Sequence, residues 1–354
     1  MSARTSRKTP LTARRVTLAD IAKKSDVSLT TVSLTLRNKP GAGIPAETRQ
    51  RILDAARTLG YRIKTTNGKP TQRLAHIGVV LKARADDIPQ ENPFYSLVLA
   101  GIDAACRQNR INLMYASLPV NEDNYPLEMP RLLDEEHVDG LLLVGAFVDE
   151  TLAHVLGEEP MPVVLVDAYS DSTPYDAVVS DNYQGAYQAV NYLIENGHRH
   201  IGVVGGHRRT YPSIRERRRG YADALQDHDI ADTYFIDCPY QLDEAYLATQ
   251  AYLEKNPQIT ALFGVNDKIA LSVSRAVQSM GKRVPEDVSV IGFDDIELAH
   301  LASPALTTMQ VDKIGMGRLA IQTLINRLQM PDNPRATLAL RPRLIERQSV
   351  LRIK

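Results

Sequence analysis

From His76 onward the chain alternates between short apolar runs and amphipathic stretches that are long enough to form helices. The amphipathic stretches carry hydrophobic residues at helical spacing and lie at 95–109, 182–196, 214–228, 243–255 and 267–280. The apolar runs favour β-strands, which we place at 77–81, 111–115, 140–144, 163–166, 201–204, 234–236, 261–263 and 288–291. This alternation predicts βαβ units and therefore mostly parallel, doubly wound sheets of the α/β class.

These elements are too many for one sheet of typical size, so we expect residues 76–354 to form two similar lobes. The first lobe is predicted near 76–175 and takes in 305–330. The second is predicted near 176–304 and takes in the C-terminus. Ligand sites in sheets of this kind lie beyond the carboxyl ends of the strands. Polar residues that follow strands are therefore the candidates for ligand binding in a cleft between the lobes.

Residues 16–61 have a different pattern, with three short helical segments and no strand. Thr17 and Asp20 form a capping box, which opens the first helix. Ser28 can cap a second helix after a tight connection at Asp26 and Val27. We place the helices at about 17–25, 28–37 and 46–59. Two helices joined by a tight turn in a compact three-helix module predict a helix-turn-helix.

The charge is divided along the chain in a way that supports this interpretation. Residues 1–75 contain 16 Lys and Arg against 4 Asp and Glu, whereas residues 76–354 contain 26 basic and 38 acidic ones. A surplus of 12 positive charges at the N-terminus is thus offset by 12 negative charges in the rest of the chain. Such asymmetry predicts a nucleic-acid-binding head on a body with another task. Residues 1–15 are predicted to be a disordered arm, and residues 62–75 a linker or hinge.

The second helix would enter the major groove of DNA. At about 100° per residue, Val32 and Leu36 share the face toward the core of the head, whereas Thr30, Ser33 and Leu34 lie opposite. Hydroxyl groups can bond to base edges, and a leucine can contact a thymine methyl group. A basic three-helix module that binds protein or RNA is the alternative.

Four segments of the head carry a recognisable signature: VTLADIA at 16–22, VSLTTVS at 27–33, ETRQRI at 47–52 and LGY at 59–61. The body adds NPFY at 92–95, VDGLL at 138–142, GHRHIG at 197–202, RRRGY at 217–221, NDKIA at 266–270, VPEDVSVIGFDD at 284–295 and PALTT at 304–308. Together these segments closely resemble the LacI/GalR family of transcriptional regulators. The resemblance implies a homodimer that binds a near-palindromic operator. It also implies a small effector, a sugar or related polyol, between two lobes like those of periplasmic sugar-binding proteins.

The chain departs from the family pattern at two places. The second helix of the family usually continues Thr-Val-Ser-Arg, and here Leu34 occupies the arginine position. The family also places a hinge helix with a minor-groove leucine after the head, but Gly68 and Pro70 oppose such a helix, and Ile63 is the substitute by position. The predicted DNA contacts are Thr17, Ser28, Leu29, Thr30, Thr31, Ser33, Leu34 and Ile63, of which Ser28 and Thr31 suit phosphates.

The candidate effector contacts follow strands or lie in a family motif. A polyhydroxyl ligand requires charged partners for its hydroxyls and a ring for its apolar face. By resemblance we expect effector contacts from Phe94, Asp167, Arg217, Asn266 and Asp294. Structural alternatives are open: Phe94 can be lobe packing, Asp267 a cap of the next helix, and Asp295 a turn residue in solvent.

Other classes of protein are disfavoured by what the sequence lacks. It has no nucleophile elbow, phosphate loop, dinucleotide fingerprint or zinc-protease motif, and its two cysteines have no metal-type spacing. We therefore expect no catalytic residue, cofactor or metal. No segment predicts membrane insertion or secretion. The alternatives are a soluble sugar-binding or transport receptor, and an α/β enzyme with an accessory DNA-binding head. We predict a cytoplasmic repressor controlled by its effector.

Overall fold

The computed structural model consists of two compact units, Met1–Arg73 and Leu74–Lys354. The structure describes residues 17–36, 44–59, 74–84, 92–121, 126–134, 138–148, 152–153, 161–170, 175–206, 211–239 and 241–353. The predicted arm, the loop after the second helix and most of the predicted linker, including Ile63, Gly68 and Pro70, lie outside the described residues.

The first unit contains three helices, as the sequence predicts: α1 (Leu18–Ser25), α2 (Leu29–Leu36) and α3 (Ala46–Thr58). The capping box is present, because the Thr17 hydroxyl accepts from the Asp20 amide and the Asp20 carboxylate accepts from the Thr17 amide. Asp26 ends α1 in the left-handed region with φ 52°. Ser28 then caps α2, and its hydroxyl accepts from the amide of Thr31 at 3.1 Å.

The core of the head joins one face of each helix. Ile21, Val32, Ile52 and Ala56 are fully buried there. Val32 therefore lies on the predicted core face, and Thr35 is buried as well. The side chain of Leu36, which we expected beside Val32, lies outside the described residues. Burying three helical faces against one another is what holds so short a module together.

The second unit is built from fourteen described strands and eight described helices. The strands are β1 (His76–Arg84), β2 (Asn112–Val120), β3 (Gly140–Val144), β4 (Phe147–Val148), β5 (Val163–Val166), β6 (Tyr169–Ser170), β7 (Asp176–Ser180), β8 (Ile201–Val204), β9 (Tyr234–Ile236), β10 (Ala261–Gly264), β11 (Ser289–Asp294), β12 (Thr307–Gln310), β13 (Thr337–Leu340) and β14 (Arg343–Ile345). The helices are α4 (Pro93–Asn109), α5 (Arg131–Asp134), α6 (Asn182–Glu195), α7 (Pro212–Asp227), α8 (Leu242–Lys255), α9 (Asp267–Ser279), α10 (Glu297–Leu301) and α11 (Lys313–Gln329).

The strands form two six-stranded sheets and a small pair, β4–β6. The sheet of the first lobe has the order β13-β7-β5-β3-β1-β2, and all of its neighbouring strands are parallel. The sheet of the second lobe has the order β14-β12-β11-β10-β8-β9, in which only the β12–β14 pair is antiparallel. The predicted pair of doubly wound, mostly parallel sheets is confirmed.

The division of the chain between the lobes differs from the predicted one. Residues 176–180 form β7 in the first lobe, although we assigned them to the second. The segment 305–330 is split, because β12 belongs to the second sheet whereas α11 packs on α4 of the first lobe. The sequence around β12 did not indicate a strand of the second lobe, because Thr307 and Thr308 are polar. Both residues are nevertheless fully buried. The chain passes between the lobes near 181, 312 and 341.

Candidate functional site

The outer surface of α2 presents the predicted base-contacting residues. Thr30 is exposed, and Ser33 and Leu34 are half-buried, on the side away from Val32. Leu29, at the start of the helix, is 53% exposed. A leucine exposed to this degree at the tip of a helix is available for a thymine methyl group. The arrangement suits direct contact with base edges.

Several predicted DNA contacts also hold the head together. The Thr17 hydroxyl donates to the Asp20 carboxylate at 2.7 Å as part of the cap. The hydroxyls of Ser28 and Thr31 lie 2.8 Å apart and are hydrogen-bonded to each other. These side chains keep the amides at the start of α2 in a fixed geometry, and amides in that position can bind a phosphate.

Arg217 is the centre of the polar cluster in the second unit. Its Nε donates to Asn182 Oδ1 at 2.8 Å, its Nη1 to the carbonyl of Val265 at 2.7 Å, and its Nη2 to Asp294 Oδ1 at 3.1 Å. The guanidinium also lies over the ring of Phe293, 3.8 Å from its centre. Arg217 is therefore fixed in position by three hydrogen bonds and an aromatic face, and it is 4% exposed.

Asp294 is held in place by the strand that it ends. It is the last residue of β11, with φ 108°, and it is 6% exposed. Burial raises the pKa of its carboxyl group, and the positive charges of Arg217 and Lys313 oppose that shift. We predicted that Arg217 and Asp294 would both reach the cleft, and the structure joins them in one ion pair.

Asp167 brings a carboxyl group from the first lobe to the same cluster. It follows β5 with φ 47°, and the hydroxyl of Tyr95 donates to its Oδ2 at 3.2 Å. Its Oδ1 is buried and has no hydrogen-bond partner among the residues that the structure describes. Burial raises the pKa of Asp167 to about 7, and the charge of Arg217 opposes the shift. The charge of Arg217, a residue of the second lobe, therefore acts on a carboxyl group of the first.

Asn182 and Tyr169 complete the contact between the lobes. The Nδ2 group of Asn182, at the start of α6, donates to the Tyr169 hydroxyl at 2.8 Å, while its Oδ1 accepts from Arg217. Burial raises the pKa of Tyr169, and the charge of Asp167 raises it further. Asn182 follows β7, which was not predicted, and Tyr169 lies three residues beyond the predicted strand at 163–166, so our sequence rule named neither.

The two aromatic residues at the start of α4 have different surroundings. The ring of Phe94 is buried and makes an edge contact with Tyr95, with 5.2 Å between the ring centres. Phe94 packs in the core of its lobe, and Tyr95 bonds to Asp167. The structure therefore places Tyr95, rather than Phe94, next to the polar cluster.

The acidic and amide groups around α9 have structural partners. Asn266, a predicted effector contact, caps α9 by accepting from the amide of Ile269 at 2.9 Å. We assigned that cap to Asp267, and the assignment was wrong. Asp267 instead accepts from the Thr308 hydroxyl and from the amide of Ile296, and burial raises its pKa to about 8.

Asp295 also departs from the expectation of a turn residue in solvent. It accepts from Arg347 Nη2 at 2.6 Å and from Gln310 Nε2 at 2.5 Å. His198 has a structural role, because its ring bonds to Thr260 and to the carbonyl of Leu351.

The described part of the chain holds no group of three or more His, Cys, Asp or Glu side chains placed to bind a metal ion. Within the same part, no helix has the length and apolar character needed to cross a membrane.

The fold and the cluster define a class of protein: a helix-turn-helix head joined to a two-lobed α/β body with polar groups facing across the lobes. The chain belongs to the LacI family and is a DNA-binding transcriptional regulator. Residues 17–63 match the family of bacterial regulatory proteins, lacI family, and residues 190–350 match the periplasmic binding protein-like domain.

Full-length relatives support this membership. The chain is 31% identical over 341 residues to the HTH-type transcriptional repressor PurR of Aliivibrio fischeri (strain MJ11), covering 95% of this chain and 98% of that one. It is 29% identical over 342 residues to the ribose operon repressor of Haemophilus influenzae, covering 96% and 99%. These relatives are regulators, not enzymes.

Solved structures agree with this fold. The transcriptional regulator CelR–cellobiose complex aligns with a TM-score of 0.66 and 26% identity, over 95% of this chain and all of that one. A LacI family transcriptional regulator from Enterococcus faecium with bound ribose aligns with a TM-score of 0.67 and 25% identity, over 79% of this chain and all of that one.

Proposed function

We propose that this protein is a cytoplasmic repressor whose operator binding is controlled by a small polyhydroxyl effector between the lobes. The observation that supports it most directly is the contact of Asn182 of the second lobe with Tyr169 of the first, because Asn182 also accepts from Arg217, which pairs with Asp294. The charges of this pair also act on Asp167 of the first lobe. A ligand that bonds to groups of both lobes favours one relative orientation of those lobes. Its binding then shifts the equilibrium between states that differ in operator affinity.

The chemistry of the cluster favours a ligand that donates hydrogen bonds. The charge of Arg217 is compensated by Asp294, while the buried Oδ1 of Asp167 is an acceptor without a donor among the described residues. A sugar hydroxyl can supply that donor, and the ring of Tyr95 can cover an apolar sugar face. The cellobiose and ribose in the two aligned structures support this ligand class.

On the DNA side, we propose that Thr30, Ser33, Leu34 and Leu29 read bases in the major groove, while Thr17, Ser28 and Thr31 position the head on phosphates. The short α2 can span only a few base pairs, so one head reads one half-site. A homodimer would present two heads to a near-palindromic operator.

The test begins with DNA, because the operator can be found without knowing the effector. Purified protein is used to select binding sites from a random double-stranded library, and the selected site is footprinted. We expect a site with two related half-sites and protection over both. Recovery of no enriched sequence would contradict the proposal. Light scattering gives the oligomeric state, for which a dimer is expected.

The effector arm uses thermal shift with D-ribose, cellobiose, other sugars, nucleosides and amino acids. A ligand at about 100 times its dissociation constant should stabilise the protein by roughly 2.7 kcal/mol. An active compound should also change operator affinity. A compound that stabilises the wild type and equally the Asp167→Asn variant would not be using the proposed cluster.

A further inference from the structure

Lys313 lies where the chain passes from the second lobe into the first. It is the first residue of α11, only 5% exposed, and two residues separate it from the end of β12. Its ammonium group reaches back to the end of β11, where it donates to the carbonyls of Asp294 and of Asp295, the latter at 3.1 Å. A third contact, at 3.4 Å, is to the carbonyl of Val311. The side chain therefore holds the strand end that carries Asp294.

The helix that begins at Lys313 is seated closely on the first lobe. A Cβ atom added to Gly101 of α4 would lie 2.2 Å from the carbonyl oxygen of Ile314, and one added to Gly317 would lie 2.2 Å from that of Val98. Such distances mean that the backbones of α4 and α11 approach as closely as glycine permits. A displacement of α11 is thus a displacement of α4 as well.

The ammonium group of Lys313 also lies near the start of α4. Its Nζ is 5.9 Å from the centre of the Phe94 ring, within the range of a cation–π contact. Tyr95, the next residue, bonds to Asp167. One buried side chain therefore bonds to the strand end of Asp294 and lies near the helix start that carries Tyr95.

The surroundings of Lys313 explain why a lysine can be buried here. Burial lowers its pKa, while the negative charges of Asp294 and Asp295 raise it. A buried ammonium group requires such partners, because a charge without compensation in the interior is costly. An apolar residue of similar length would leave the carbonyls of β11 without this donor.

We propose that Lys313 is a positioning residue of the switch, which couples the place of Asp294 in the second lobe to α11 and α4 in the first. With Lys313 in place, the lobes keep a defined relative orientation when the cleft is empty. Without it, Asp294 and Tyr95 move independently. The inference rests on the proposed function only in taking Asp294 and Asp167 as the groups that contact the effector.

The test measures the distance between the lobes by double electron–electron resonance on the full chain. Nitroxide labels are attached at Gln108→Cys in the first lobe and Glu254→Cys in the second, both at exposed positions. Cys106 and Cys238 are buried, and burial raises the pKa of each thiol to about 11, so they react poorly with the label. Dilution with unlabelled protein removes distances between protomers.

The Lys313→Met variant is compared with Lys255→Met, which removes an exposed lysine from α8. We expect one narrow distance distribution for the wild type and for Lys255→Met, and a broad one for Lys313→Met. Lys313→Arg should restore the narrow distribution, because a guanidinium can bond to the same carbonyls. Should Lys313→Met fail to fold, Lys313→Gln is measured with the same labels, and broadening is again expected.

A narrow, unshifted distribution for a folded Lys313→Met or Lys313→Gln protein would overturn the proposal, even if its melting temperature falls. That outcome would mean that Lys313 stabilises the fold but does not set the relative orientation of the lobes. The assay contains neither DNA nor effector, so its failure leaves the assignment as a repressor intact. Failure of the DNA selection would in turn leave the measured distance unaffected.

Discussion

Arg217 and Asp294 form a buried ion pair inside the second lobe, with 3.1 Å between Nη2 and Oδ1. The two residues are 77 positions apart, on α7 and at the end of β11. The two side chains depend on each other: Arg217 is held by Asn182, Val265 and Asp294, and the carboxyl group of Asp294 lies against the guanidinium. An effector that bonds to either residue therefore acts on both.

The first prediction concerns this pair. Arg217→Ala should weaken effector binding by roughly 10- to 100-fold, as expected for the loss of hydrogen bonds to a charged group. It should also destabilise the protein by about 3–5 kcal/mol, because Asp294 is left as a buried charge without its partner. Denaturant unfolding and effector titration measure the two effects.

A matched control is Arg219→Ala, on the same helix, whose side chain is 59% exposed. That variant should change neither quantity. Effector binding that survives in Arg217→Ala at wild-type concentrations would contradict the proposed contact and leave the pair a structural role only.

How far the sequence predicts this protein depends on how local each signal is. The caps of α1 and α2 were predictable because Thr17, Asp20 and Ser28 act within a few residues of themselves. The Arg217–Asp294 pair was not, since each residue was assigned to the cleft separately and nothing local in the sequence indicates that they meet. The cap of α9 was missed by one residue, because Asn266 and Asp267 are both good caps and only the backbone decides between them.

The lobe assignment failed for a related reason. A polar strand such as β12 lacks the apolar alternation that marks a strand, and burial of its threonines depends on partners elsewhere in the chain. Ser349 illustrates this: its hydroxyl accepts from the amide of Thr307 at 2.8 Å across 42 residues. Neither local propensity nor hydrophobic period reports such a contact.

The second prediction concerns pH. Burial raises the pKa of Asp267 to about 8, above the ordinary aspartate value that applies in the unfolded chain. The folded state then binds more protons between roughly pH 4 and pH 8, so this group makes the protein less stable as pH rises through that window. Asp267→Asn should remove that loss. The variant should be close to wild type at pH 6 and more stable than wild type at pH 9.

Urea denaturation at several pH values measures this difference. The control is Asp243→Asn, which replaces an exposed carboxylate in the first turn of α8. A parallel pH dependence of Asp267→Asn and wild type would mean that Asp267 is ionised in the folded protein.

The third prediction is a steep dependence of operator affinity on salt. Residues 1–75 carry 12 more positive than negative charges, and a dimer doubles that number. With roughly 6–10 phosphates contacted, affinity should fall by about 10³–10⁵ between 50 and 200 mM salt. Gel-shift or fluorescence-anisotropy titration at several salt concentrations measures the slope. A flat response would be incompatible with a head that binds the phosphate backbone.

The last prediction concerns Leu34, where the chain departs from the arginine usual in its family. Leu34 is half-buried on the side of α2 away from Val32, so a longer side chain at this position can extend into the groove. Leu34→Arg supplies two donors that match the O6 and N7 acceptors of guanine, a pairing worth roughly 1–3 kcal/mol of discrimination. Sites selected by the variant should therefore gain guanine at one position of each half-site.

Leu34→Met, which keeps an apolar side chain of similar size, should select the wild-type sites. The affinities of Leu34→Arg for the two classes of site give the size of the change. Identical selected sites for wild type and Leu34→Arg would mean that Leu34 does not face the bases, and α2 would then have to lie in the groove with a different side toward the DNA.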